Sequence, residues 1–207
     1  MNQAINIAKT SAESLATHEI VPDVIKSSFS PWGLLAAEYA AGSPVAMGNT
    51  LTIDETQAKP KVHFTLDPQS QFEIRDSDLF TLVITDPDAP SRSDHKWSEY
   101  CHYVEADIRM PFAYSRASSS AVPDFVASEL AGGHVLADYV GPAPPKGTGK
   151  HRYVLLLYKQ SGPASQLSKI ADRPNWGYGA PATGAHRWAA ENGLELVAAN
   201  FFYAENK

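Results

Sequence analysis

Residues 79–106 read LFTLVITDPDAPSRSDHKWSEYCHYVEA. Leu79–Thr85 is nearly all apolar and rich in β-branched side chains, which predicts a central strand. The Asp, Pro and Ser residues that follow are the ones turns use. Pro87 and Pro90 remove backbone donors and stiffen that reversal, and Ala89–Pro90 is a candidate cis bond. Glu99–Ala106 reads again as a strand. Strict alternation along it puts Tyr100, His102 and Val104 on one face and Cys101 and Tyr103 on the other. Cys101 and His102 therefore form no dyad, and Cys101 reads as a buried, inert thiol.

Working outward, Leu34–Tyr39, Val62–Leu66, His134–Val140, His151–Gln160 and Leu194–Tyr203 have the same short, β-branched and aromatic texture. Ile5, Ala8, Ala12 and Leu15 recur at helical spacing, giving a weak surface helix within residues 1–16. A second helical piece is predicted over 20–26 with Pro22 in its first turn, making residues 1–26 a helical N-terminal segment. Residues 107–133 are long for a plain loop, and Val122–Leu130 is predicted as a short helix. Pro181–Asn192 reads as a helix with Gly193 as its left-handed C-terminal residue. Many strands with few, peripheral helices predict one mainly β domain, a β-sandwich spanning residues 1–207.

Composition narrows the function classes. The net charge of −6 disfavours a globally basic nucleic-acid binder. No apolar run reaches the ~18 residues of a membrane span. The opening MNQAINIAKTSAES lacks the basic start and apolar core of a secretory signal. With a single cysteine and no glycosylation sequon, cytoplasmic residence is expected. Zinc-protease, paired-cysteine, nucleophile-elbow and dinucleotide motifs are missing, and the seven histidines show no tight metal spacing, so neither metal nor cofactor is expected.

A second stretch, YVGPAPPKGTGKHRYVLLLYKQ (139–160), reads strand, rigid loop, strand. His151 and Tyr153 share a strand face while Arg152 points away. Lys146, Lys150 and Arg152 lie in a stretch without acids, a local positive patch. The phosphate-loop template fails, since position 144 is proline and position 151 is histidine.

DPDAPSRSDHKWSEYCH and GPAPPKGTGKHRYV, followed by DRPNWGYGAPATGAHRW and LELVAANFFYAE, resemble the signature regions of the phosphatidylethanolamine-binding protein family, in the family's order. The resemblance implies two antiparallel sheets with peripheral helices around a small cavity that binds phosphate or an anionic phospholipid head group. By position, that cavity would use Asp86, Asp88, Pro90 and His102 from the first region and Pro145, His151 and Tyr153 from the second. Two imidazoles and a phenol are donors suited to an anion. Asp86 would accept from an imidazole N–H and fix its tautomer. Animal members close the cavity with a further C-terminal helix, so a more open cavity is expected here. A hydrolase built on His102, His151 and Asp86 would lack an activated nucleophile.

Finer matches in MNQAI, PVAMGNTL, HKWSE, GPAPPKG, DRPNWGYG and NFFYAE narrow the resemblance to a member that inhibits a vacuolar serine carboxypeptidase, carboxypeptidase Y. The alternative is a lipid- or phosphate-binding signalling modulator, for example of a Ras GTPase-activating protein, without protease inhibition. A monomer is expected, with vacuolar residence as a second location. For the inhibitor, the reactive element is placed at Met1, Asn2, Gln3, Ala4 and Ile5. An exopeptidase site is recessed, and a chain end enters where a sheet face does not. Met1 adapts to a pocket, and acetylation would remove the terminal charge that burial penalises. So small a segment needs a second contact patch to reach the ~800 Å² per partner of a stable interface.

Overall fold

Alternating and doubly buried strands account for the architecture. The computed structural model describes residues 7–27, 29–40, 42–67, 70–110 and 127–207. One sheet joins β1 (Gly33–Tyr39), β2 (Ser43–Val45), β3 (Lys61–Leu66) and β6 (Ala127–Glu129) in the order β2-β1-β3-β6. The other joins β4 (Phe80–Asp86), β5 (Tyr100–Ile108), β7 (His134–Ala137), β8 (Lys150–Lys159) and β9 (Glu195–Glu205) in the order β7-β5-β4-β8-β9. All these pairings are antiparallel.

Between the sheets, Leu35, Ala37 and Phe64 meet Leu82, Ile84, Leu155, Leu157 and Phe202. The opposite face of the larger sheet is covered too. Val83, Val104, Val154 and Leu156 pack there with Leu15, Ile20, Trp176 and Trp188. This second layer comes from α1 (Ile7–Thr17), α2 (Ile20–Asp23), α3 (Ala185–Glu191) and the short turn Asn175–Gly177 that carries Trp176. Strands β4 and β8 are thus buried on both faces, the physical reason their sequences are almost unbroken apolar runs. β1 has one wet face and alternates residue by residue.

α3 ends as expected. Gly193 is left-handed at φ +63°. Leu194 N–H donates to Ala189 O at 2.9 Å and Gly193 N–H to Ala190 O at 3.3 Å, which satisfies two terminal carbonyls.

Several expectations are corrected. Ala127–Glu129 is a strand, not part of a helix, and pairs with β3. Ser128 and Leu130 point inward at period two, where a helix would have separated them. Residues 122–126 lie outside the described residues. The buried stripe of α1 runs through Ser11 and Leu15, with Ala12 exposed. The second helix is only Ile20–Asp23, with Pro22 inside it. β2 escaped the sequence reading because three residues carry too little periodicity to register.

Candidate functional site

The two quoted stretches converge at one end of the layer between the sheets. β4 delivers Asp86 at its last position, and the chain turns through Pro87 and Asp88 into a cis Ala89–Pro90 bond. Asp88 N–H donates to Asp86 Oδ1 at 2.7 Å, tightening the turn. β8 pairs with β4 and enters beside it with His151. His151 Nδ1 lies 2.9 Å from Asp86 Oδ2, with both side chains buried. Thr148 Oγ1 donates to Pro145 O at 2.7 Å and lies 3.0 Å from His151 Nε2. Both ring nitrogens of His151 therefore face oxygen acceptors.

His102 arrives by a less legible route. The β4–β5 register pairs Ile84 with Tyr103 but Thr85 with Cys101, so His102 is an extra, bulged residue. Across that bulge Tyr103 stays in the layer between the sheets, while Cys101 and Val104 face the helical layer. His102 and Tyr100 both line the cavity. The expected sharing of one face by His102 and Val104, and by Cys101 and Tyr103, is thus overturned, because the bulge interrupts the period-two rule. The separation of Cys101 from His102 holds. Burial pushes the Cys101 thiol up to about 12, so the thiol stays protonated at neutral pH.

The cavity encloses about 180 Å³. It is lined by Asp86, Pro90, His102, Pro145, His151 and Tyr153, and by Trp97, Tyr100, Val140 and Ala143. His102 Nδ1 donates to Val140 O at 2.6 Å, which leaves Nε2 of the neutral ring as an acceptor. Burial lowers the proton affinity of His102, with the Asp86 charge opposing that shift. The Tyr153 phenol is pushed up, first by burial and then by Asp86, and stays a neutral donor. Its ring lies edge-on to His102 at 5.1 Å and stacks on Phe202 at 5.2 Å, which fixes its orientation.

Six of the seven residues expected in the cavity come together there; Asp88 does not. It lies behind the turn, fully buried, with its carboxylate on Arg152 at 2.7 and 2.9 Å. An acid so deeply buried needs a charged partner, and Arg152 supplies it at hydrogen-bond distance, with Arg92 Nε further off at 3.8 Å. The expected positive patch disperses for the same reason. Arg152 is buried on the far face of β8, and Lys150 Nζ reaches outward to Thr50 Oγ1 at 3.0 Å. Tyr100 was legible from its i, i+2 relation to His102, whereas Trp97 carried no sequence signal. Met1–Ile5 lie outside the described residues. Among the described residues, no cluster of three or more His, Cys, Asp or Glu is arranged to hold a metal ion, and no helix is long and apolar enough to cross a membrane.

The family model of the phosphatidylethanolamine-binding proteins matches residues 26–202. The chain belongs to this family. A curated member, the carboxypeptidase Y inhibitor of Saccharomyces cerevisiae, is 53% identical over an alignment of 220 positions that covers all of both chains. The crystal structure of carboxypeptidase Y inhibitor complexed with the cognate proteinase superposes with a TM-score of 0.90 at 54% identity, again over all of both chains. A phosphatidylethanolamine-binding protein from Plasmodium vivax shares the fold, with a TM-score of 0.70 at 21% identity over 95% of this chain and 97% of that one. In this phosphatidylethanolamine-binding protein, the first quoted stretch runs on from the end of β4 and the second leads into the start of β8.

Proposed function

We propose that this phosphatidylethanolamine-binding protein inhibits a serine carboxypeptidase of the carboxypeptidase Y kind, and that its cavity holds a phosphate-like anion. The observation that carries the first part is the full-length match, in sequence and fold, to an inhibitor solved with its cognate proteinase. The reactive element is Met1–Ile5, a chain end able to enter a recessed exopeptidase site, and a second surface patch supplies the remaining area.

Anion binding rests on the chemistry of the lining. Tyr153 is a neutral donor, and His151 is held by Asp86 with Nε2 directed to Thr148. An anion taking the place of the Thr148 contact receives a charge-assisted hydrogen bond from His151. Asp86 brings its own carboxylate to the site, so the site favours a partly protonated phosphate or a zwitterionic head group over a multiply charged anion. Among the described residues, the lining contains no serine, cysteine or lysine, which supports a binding rather than a catalytic role.

The deciding experiment titrates carboxypeptidase Y with this protein in a peptide-hydrolysis assay, beside a variant lacking residues 1–5 whose fold is checked by circular dichroism. Stoichiometric inhibition by the full chain and its loss in the truncated chain are expected. Undiminished inhibition by the folded, truncated protein rules out the terminal element. A full chain that leaves hydrolysis untouched rules out inhibition itself and leaves the signalling-modulator reading.

A further inference from the structure

Arg152 follows His151 directly, yet it serves the opposite face of β8 and a different part of the molecule. Its guanidinium has five N–H donors, and all five are engaged. Nε donates to Asp88 Oδ2 at 2.9 Å, and Nη2 donates to Asp88 Oδ1 at 2.7 Å. Nη2 also lies 2.8 Å from Asp23 Oδ2. Nη1 donates to Glu19 O at 2.9 Å and to His18 O at 3.2 Å. His18 and Glu19 form the junction between α1 and α2, and Asp23 ends α2.

Packing holds the rest of that junction, with Ile20 fully buried and the His18 ring 5.0 Å from that of Phe201. His18 Nδ1 meets Tyr203 Oη at 2.9 Å, Ser14 Oγ donates to Met47 O at 3.2 Å, and Leu15 is buried. Arg92, from the loop after Asp88, pairs with Glu19. Between Lys9 and Thr17, all side chains except Ser11, Ser14 and Leu15 are exposed. α1 is therefore a lever fixed at its C-terminal end.

We infer that Arg152, through Asp88, Asp23 and the carbonyls of His18 and Glu19, is the positioning residue that sets how the N-terminal inhibitory segment is presented to the protease. This rests on the reading that Met1–Ile5 carry the inhibition. Its physical basis is preorganisation. A binding element whose root is fixed loses less conformational freedom on association, so loosening the root weakens binding without removing a contact. The planar fork matters as much as the charge. Lysine at this position keeps one positive charge but has three donors on a tetrahedral head, too few and wrongly spread for Asp88, Asp23 and two carbonyls at once. The same arrangement joins the two functional regions. Asp88 holds Arg152 with its carboxylate and Asp86 with its amide, so the root of the N-terminal segment and the His151 pair of the cavity share one turn.

The test compares Arg152→Lys and Asp23→Asn, each in the full chain and in the chain lacking residues 1–5. Inhibition of carboxypeptidase Y, unfolding midpoints and amide exchange of residues 11–19 are measured for all. Asp23 is half-exposed, so its substitution keeps the test informative if Arg152→Lys fails to fold. Faster exchange at residues 11–19 is expected in the full chain for both variants. Inhibition should weaken at least ten-fold for Arg152→Lys and a few-fold for Asp23→Asn, and neither substitution should change what inhibition remains after truncation. A purely structural role would lower the midpoint and leave the inhibition constant of the folded fraction unchanged, which overturns the proposal. Full inhibition by the folded variants despite faster exchange overturns it as well. If truncation alone leaves inhibition intact, the terminal element fails and this inference falls with it, a result distinct from failure of the clamp alone.

Discussion

Asp86 and His151 stand 65 residues apart in the chain, yet their side chains meet at 2.9 Å where β4 ends beside the start of β8. Neither side chain alone makes a receptor. Together they place a donor-bearing ring, already oriented, on the wall of a cavity that His102, Tyr153, Tyr100 and Trp97 also line.

Replacing His151 with alanine is expected to remove one charge-assisted hydrogen bond to a bound anion, about 1.5–3 kcal/mol. Calorimetry with inorganic phosphate and with phosphoethanolamine measures it, and separates free phosphate from a head group as the preferred source. An affinity unchanged in a folded variant excludes His151 as a ligand.

Glu99 gives the stability a definite pH dependence. Its carboxyl is buried, with Oε1 unpartnered, while Oε2 accepts from Thr85 Oγ1 at 3.1 Å and from Ala185 N–H at 3.3 Å. Burial pushes its pKa from the ordinary 4.5 up to about 7, against the Ala185 and Thr85 hydrogen bonds and the charge of Lys26, and with the charge of Asp86. Between those values the folded state binds more protons than the unfolded one, so stability falls as pH rises. The contribution is fully present below about 4.5 and is lost as pH passes about 7. Urea unfolding of Glu99→Gln across this range should flatten the decline, which in the wild type amounts to about 3 kcal/mol at most. An identical slope in both proteins would falsify this assignment.

His102 acts in the opposite sense. Burial holds its folded pKa below the ordinary 6.5. Its contribution is present above about 6.5 and is lost as pH falls toward the lower, folded value. His102→Gln should therefore lose less stability on acidification below that point than the wild type does. Measuring both variants at closely spaced pH values resolves the two opposing slopes, and a His102→Gln profile that falls as steeply in acid removes His102 as their source.

Leu15 ties the lever helix to the larger sheet's outer layer and is fully buried there. Leu15→Ala should cost about 2–5 kcal/mol if the site cannot collapse around the missing side chain. A loss well under 1 kcal/mol, read from urea midpoints, would show that α1 contributes little to the cooperative unit.

What the sequence determined by itself was everything set by local periodicity. The doubly buried β4 showed as a nearly all-apolar run, His151 and Tyr153 fell on one face of β8 with Arg152 on the other, and Gly193 marked the end of α3. These follow from side-chain alternation and from the left-handed backbone that glycine tolerates, and both act over a few residues. What only the tertiary structure decided depended on partners far along the chain. The bulge that turns His102 into the cavity is a mismatch between β4 and β5, invisible in either strand alone. Asp88 has the same spacing and chemistry as Asp86, and it left the cavity because Arg152 stood behind the turn. Ala127–Glu129 became a strand because β3 offered an unpaired edge. A buried charge or an open strand edge must be satisfied by whatever the fold brings alongside, so the identity of that neighbour is settled in three dimensions.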